Sequence, residues 1–180
     1  CALRRDEGMR TVLSNGAGAC AQVRTAWGEI KSQYDAFLAA NPDKEVPAER
    51  INIWTRTRCW LQREGYTREF NRFCESKFTA DPAGRLAKWR FDVPCGMGRT
   101  TAFEFTLSLD EGVNRARLEV SRVDAGDDDV KDSVRIVFRP DIEWRTFHAS
   151  TKAFAGAEEL FPKSVTRKDE NGFEFAPYRD

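Results

Sequence analysis

A mainly β, antiparallel fold is what this sequence predicts, and three observations predict it. Apolar and polar residues alternate through the second half, as at Trp89, Phe91 and Val93 and again at Phe103, Phe105, Leu107 and Leu109. Turn-forming residues close these runs, first Pro94-Cys95-Gly96-Met97-Gly98 and then Asp110-Glu111-Gly112-Val113-Asn114. No heptad pattern, internal repeat or low-complexity tract competes with that grammar.

In chain order, Leu13-Ser14-Asn15-Gly16-Ala17-Gly18 comes first, with an Asn-Gly pair and a second glycine that suit a tight turn or a close backbone approach. A phosphate cradle would need GxGxxG or GxxxxGK[ST], and neither is present. Ile30 to Ala40 is helical by composition, yet Tyr34, Phe37 and Leu38 suit a short buried strand equally well. Tyr66 to Phe78, with Phe70, Phe73, Cys74 and Phe78, fits a short amphipathic helix or two irregular strands, and Asp81-Pro82-Ala83-Gly84 reads as a turn. Ala116, Leu118 and Val120 alternate with Arg117, Glu119 and Ser121, which continues an antiparallel meander. Gly126-Asp127-Asp128-Asp129 with Asp132 lacks the alternating ligands and distal glutamate of a calcium loop and reads as a solvated turn. Val134, Ile136 and Phe138 form another strand, expected to stop at Pro140, which cannot donate to a ladder. Gly172-Phe173-Glu174-Phe175 begins one more.

Composition narrows the partners. The 180 residues fit one domain, taken as 1–180, able to bury about two-thirds of its unfolded surface. Charged residues reach 32% but the formal net charge is zero, so no long-range field draws the chain to nucleic acid or anionic lipid. Charges interrupt every apolar stretch before it reaches the roughly 20 residues of a membrane span. Five cysteines, without a CxxC and with a single histidine, make neither a zinc site nor a complete disulfide set. Buried, reduced thiols in a cytoplasmic protein are the expectation, with no metal and no cofactor. The chain opens on Cys1 rather than methionine and stops just after a strand-like segment, which reads as an arbitrary cut in a longer protein.

Two stretches concentrate the candidate ligand residues. If Ile51 to Trp60 is extended, then Asn52, Trp54, Arg56, Arg58 and Trp60 share one face, opposite Ile51, Ile53, Thr55, Thr57 and Cys59. Aromatic rings stack on the apolar faces of sugars and bases, and arginine forks onto hydroxyls, carboxylates or phosphates, so that face can serve as a ligand platform. The same stripe also suits burial under a neighbouring domain, with the arginines stacked on the tryptophans. The second stretch, Val134 to His148, ends in Arg139-Pro140-Asp141-Ile142-Glu143-Trp144-Arg145 and carries the only histidine. In an extended chain Asp141 and Glu143 would share a face roughly 7 Å apart, within the range of glycosidase carboxylate pairs. Arg139 and Arg145 would pair with them first, which favours an ion network or a sugar-contacting role over catalysis. His148 stands beside no nucleophile motif and reads as a hydrogen-bonding residue near a strand end.

Taken together, these segments resemble the N-terminal, non-catalytic domain of bacterial and archaeal-type glycogen debranching enzymes, the amylo-α-1,6-glucosidase family. The residues that carry the resemblance are Leu13 to Gly18, Tyr34 to Asn41 with Pro47 and Arg50, Arg56-Thr57-Arg58-Cys59-Trp60, Lys88-Trp89-Arg90-Phe91, Arg139 to His148, and Gly172 to Phe175. Departures fall at Ala17 and Ala19-Cys20, where the family often has a bulkier residue, and at Trp144, which interrupts its polar pattern. The resemblance implies an antiparallel β-sandwich packed on a C-terminal (α/α)6 barrel that holds the catalytic carboxylates. It further implies a parent reaction that hydrolyses the α-1,6-linked glucose of glycogen branch points. The implied partners of this domain are an α-glucan, either glycogen or a malto-oligosaccharide, and the barrel of the same chain. Trp54, Arg56, Arg58, Trp60, Asp141, Glu143, Arg145 and His148 are the candidate substrate-contacting residues, and none is assigned a catalytic role. The alternative is a stand-alone β-sandwich that binds a carbohydrate or a protein through the Trp54 to Trp60 face.

Overall fold

The computed structural model describes residues 9–43, 46, 49–63, 65–94, 98–123, 134–150 and 164–176. The acidic stretch Gly126 to Asp129 with Asp132, the turn residues Cys95 to Met97, and Cys1 and Pro47 lie outside them. The chain groups into two compact units, Cys1–His148 and Ala149–Asp180.

The first unit is an antiparallel β-sandwich. One sheet joins β1 (Arg10–Ser14), β2 (Cys20–Arg24), β3 (Ala36–Ala40), β4 (Ile51–Arg63) and β10 (Arg135–Thr146) in the order β1-β2-β3-β4-β10. The short β5 (Tyr66–Glu69) pairs with the last residues of β4, on Trp60 to Arg63. The other sheet is a plain meander of β6 (Glu75–Ala80), β7 (Leu86–Pro94), β8 (Thr100–Leu109) and β9 (Ala116–Arg122). In the second unit, β11 (Val165–Arg167) and β12 (Phe173–Phe175) form a hairpin, which contains the strand foreseen at Gly172 to Phe175.

The meander follows the alternation that the sequence sets. Ala87, Trp89, Phe91 and Val93 of β7 face Leu107, Phe105, Phe103 and Thr101 of β8 in direct register, and all are buried. The first sheet supplies Leu13, Ala21, Val23, Phe37, Cys59 and Leu61 to the same apolar cluster, which therefore fills the space between the sheets. Trp27 sits at its centre, with ring centroids 5.1 Å from Trp89, 5.0 Å from Phe105 and 5.4 Å from Phe37. Edge-on and tilted aromatic contacts of this kind add about 0.5–1.5 kcal/mol each beyond area burial.

Local chemistry settles the segments that periodicity left open. Ile30 to Ala40 is a loop ending in the fully buried β3, because Asp35 holds the loop closed. Its Oδ2 accepts from the N–H groups of Lys31 (2.8 Å) and Ser32 (2.9 Å) and pairs with Arg24 at 2.9 Å. Tyr66 to Phe78 is strand, turn and strand rather than helix, with Phe70 buried in the core and Phe73 exposed.

Pro140 does not end its strand. It lies within β10, opposite Thr57. Since β10 pairs only with β4 among the described residues, it is an edge strand, where a residue without an N–H is tolerated.

The Asn-Gly motif is a turn fastened from within. Gly16 and Gly18 take φ of 74° and 98°, conformations that a side chain disfavours. Asn15, 3% exposed, accepts at Oδ1 from Ala17 N (2.8 Å) and Ala19 N (3.0 Å) and donates from Nδ2 to Val113 O at 2.9 Å. The Gly16, Ala17 and Ala19 amides, which a phosphate cradle would use, are thus already engaged by the chain itself.

Candidate functional site

The strand pair β4–β10 positions most of the candidate residues, and two irregularities decide where each one points. From Thr57 onward β4 alternates cleanly: Thr57, Cys59 and Leu61 are buried toward the core, which leaves Arg58 and Trp60 on the outer face. Before Thr57 the register slips. Arg56 pairs with Asp141 but Trp54 with Ile142, so Thr55 is an extra residue in β4. A second slip follows between Ile142 and Arg145, where β10 carries the extra residue.

These bulges overturn one expectation. Trp54 does not join Arg56, Arg58 and Trp60. It packs against the core, 5.3 Å from Phe37, with Nε1 donating to Thr57 Oγ1 at 2.9 Å and to Arg56 O at 3.1 Å. A bulge shifts the two-residue period by one, and that sends the indole to the opposite side of the sheet.

Asp141 receives two guanidinium groups from the facing strand. Arg56 Nε donates to Oδ2 at 2.8 Å and Arg58 Nη2 to Oδ1 at 3.0 Å, while Arg56 Nη1 also reaches Gly28 O at 3.1 Å. These partners, rather than the expected Arg139, are dictated by cross-strand register, since Asp141 lies directly opposite Arg56. Partial burial pushes the Asp141 carboxyl upward, but the hydrogen bonds and charges of Arg56 and Arg58 outweigh it and hold the group below its ordinary range.

Glu143 and Arg145 form a separate bidentate pair, Nε to Oε2 at 3.1 Å and Nη2 to Oε1 at 2.9 Å. Thr55, the bulged residue, donates its hydroxyl to Glu143 Oε1 at 2.8 Å. The two carboxylates thus serve different arginines, and the expected ion network exists as two adjoining clusters.

The Asp35-organised loop completes the site. Gln33 O accepts from Arg145 Nη2 at 2.9 Å and from Asn52 Nδ2 at 3.0 Å, while Gln33 Nε2 donates to His148 O at 3.0 Å. Tyr34 packs its ring 4.9 Å from Phe147, and its hydroxyl lies 3.4 Å from His148 Nδ1. Arg50 covers Phe147 at 5.8 Å from the ring centroid. His148 itself is exposed, at the open end of this aromatic step.

The outer face of β4–β10 therefore runs from Trp60 through the Asp141 cluster and the Glu143–Arg145 pair to Tyr34 and His148. Sequence reading missed Gln33 and Thr55 as members, and it placed Asn52 on the exposed face, whereas Asn52 is fully buried and bonds Gln33 O. Thr55 enters through bulge geometry and Gln33 through a loop carbonyl, and neither leaves a compositional mark. Among the described residues, no three His, Cys, Asp or Glu side chains gather as metal ligands would. Cys20, Cys59 and Cys74 are buried free thiols, and burial raises all three above the ordinary range. Among the described residues, no helix is long and apolar enough to cross a membrane. Set against protein-family models, curated protein sequences and solved structures, this chain matches none of them.

Proposed function

We propose that this β-sandwich is a non-catalytic, α-glucan-binding domain of a debranching glycoside hydrolase of the amylo-α-1,6-glucosidase type. The observation that carries the reading is convergence. Three segments quoted for the family resemblance, at Tyr34, at Arg56 to Trp60 and at Arg139 to His148, are remote in sequence and meet on one face. That face combines an aromatic residue near each end with charged hydrogen-bonding groups between them, which is chemistry suited to a chain of glucose rings.

The same geometry argues against hydrolysis by this domain. A general acid needs a raised pKa, whereas Asp141 is held low by two arginines and Glu143 is already occupied by Arg145 and Thr55. The catalytic carboxylates in this reading belong to an (α/α)6 barrel of the same chain, and the cytoplasm is the compartment that a glycogen-processing protein with reduced thiols would occupy.

Titration with a linear malto-oligosaccharide tests the proposal. Trp60→Ala is expected to weaken binding by about 1 kcal/mol or more, through lost stacking area. His148→Ala is expected to weaken it less. Unchanged affinity in Trp60→Ala, with folding intact, would move that face to an interdomain contact. No binding by the wild-type protein would favour a protein-binding sandwich instead.

A further inference from the structure

The chain holds two Asn-Gly pairs, at Asn15-Gly16 and Asn171-Gly172, and the fold treats them oppositely. Asn-Gly is the sequence at which an asparagine side chain is most open to attack by the following backbone nitrogen, because glycine offers no side chain to hinder the approach. We propose that Asn171 is a spontaneous deamidation site, converting to aspartate and isoaspartate, and that Asn15 is protected from the same reaction by its hydrogen bonds.

The contrast rests on geometry. Asn15 is buried, its carbonyl oxygen held by two N–H groups and its amide nitrogen by Val113 O. The Gly16 N–H, the would-be nucleophile, is directed at Ser14 Oγ at 3.3 Å. Reaction there requires the turn to open first. Asn171 is exposed in the β11–β12 turn. Its backbone N–H donates to Asp169 Oδ1 at 2.8 Å, and Gly172 O accepts from Lys168 N at 3.0 Å. No hydrogen bond is made by the Asn171 side chain or by the Gly172 N–H among the described residues, so the electrophile and leaving group face water, while the Asp169 carboxylate borders Gly172, its Oδ1 3.1 Å from where a Cβ would sit.

The chemistry balances with solvent water as the only co-reactant. Gly172 N loses its proton to a water-derived base and bonds to Asn171 Cγ, and the side-chain nitrogen departs as ammonia after taking up a proton. Water then opens the resulting succinimide at either carbonyl, leaving aspartate or isoaspartate. Either product places a new negative charge beside Asp169 and Glu170, and isoaspartate adds a carbon to the backbone of a turn that closes only three paired positions. The hairpin therefore carries a slow, irreversible chemical clock.

Incubation of the intact protein in mildly alkaline buffer, followed by peptide mapping and enzymatic methylation of isoaspartate, tests the proposal. Conversion at Asn171 is expected to exceed that at Asn15 by at least about tenfold in the folded state, since Asn15 reacts only from opened conformations. In denaturant the two rates are expected to converge, because each is then an unprotected Asn-Gly pair. Retention of the amide at Asn171, or equal rates at both sites in the folded protein, would overturn the assignment.

Discussion

The two sheets of the sandwich obey the same alternation rule with different fidelity. In the meander, β7 and β8 stay in register from Leu86–Ser108 to Pro94–Thr100 without a break, and the buried positions are those that the sequence pattern marks. In the other sheet β4 and β10 slip twice, and β3 slips against β4 as well. The meander slips only at its β6 edge, between Glu75 and Lys77, and its unbroken β7–β8 pair builds core, whereas the slips of the other sheet re-aim side chains. Bulges cost ladder continuity, and here they fall where Thr55, Asp141, Glu143 and Arg145 assemble.

The largest expected effect tests whether one core spans both sheets. Trp89 is 1% exposed, touches Trp27, Phe37 and Phe78, and donates from Nε1 to Thr25 O at 3.1 Å. Trp89→Ala is expected to cost about 3–5 kcal/mol in denaturant unfolding. A loss below about 1 kcal/mol would mean that the sheets are stabilised separately.

A pair of tryptophan variants tests the bulge directly. Trp54→Ala, which removes a partly buried core ring, is expected to cost about 2 kcal/mol, and Trp60→Ala less than about 1 kcal/mol. Equal losses would place both rings on one face and remove the bulge argument. Asn15→Ala, which strands two loop amides and one carbonyl, is expected to destabilise by about 1–2 kcal/mol, and Asn15→Asp, which keeps the acceptor, by less. Identical losses would show that Nδ2 alone matters.

The smallest effect concerns Asp141. Its folded pKa is depressed from an ordinary value of 3.8, so the stabilisation it contributes is present above that value and is lost as pH falls through the lower folded one. After screening at this partly exposed site the contribution is about 0.5–1 kcal/mol. The stability gap between wild type and Asp141→Asn should be constant near neutral pH and close only below the ordinary carboxylate range. A gap that persists fully protonated would mean that Asp141 acts through shape rather than charge.

Much of the meander was legible because a strand buried on one face must alternate, and Trp89, Phe91, Phe103 and Phe105 have no polar reading. The outer face of β4 was only partly legible. Arg56, Arg58 and Trp60 lie together as their spacing implies, while Trp54 crosses to the core. A bulge is set by what the neighbouring strand presents, and that information lies some 85 residues away along the chain, at Asp141.

The sequence by itself determined the strand class of the second half, the turn chemistry of Asn15-Gly16 and the burial of Cys20, Cys59 and Cys74. Period, glycine conformation and side-chain polarity are local properties, and they suffice for those features. Only the tertiary structure decided that β10 runs through Pro140, because tolerance of proline depends on which edge of the strand lacks a partner. It alone decided that Asp141 binds Arg56 and Arg58 rather than its own neighbour Arg139, since strand register brings opposite charges face to face across the ladder. It also placed Gln33 against Arg145 and Asn52, through a backbone carbonyl that every residue possesses and that only folding can aim.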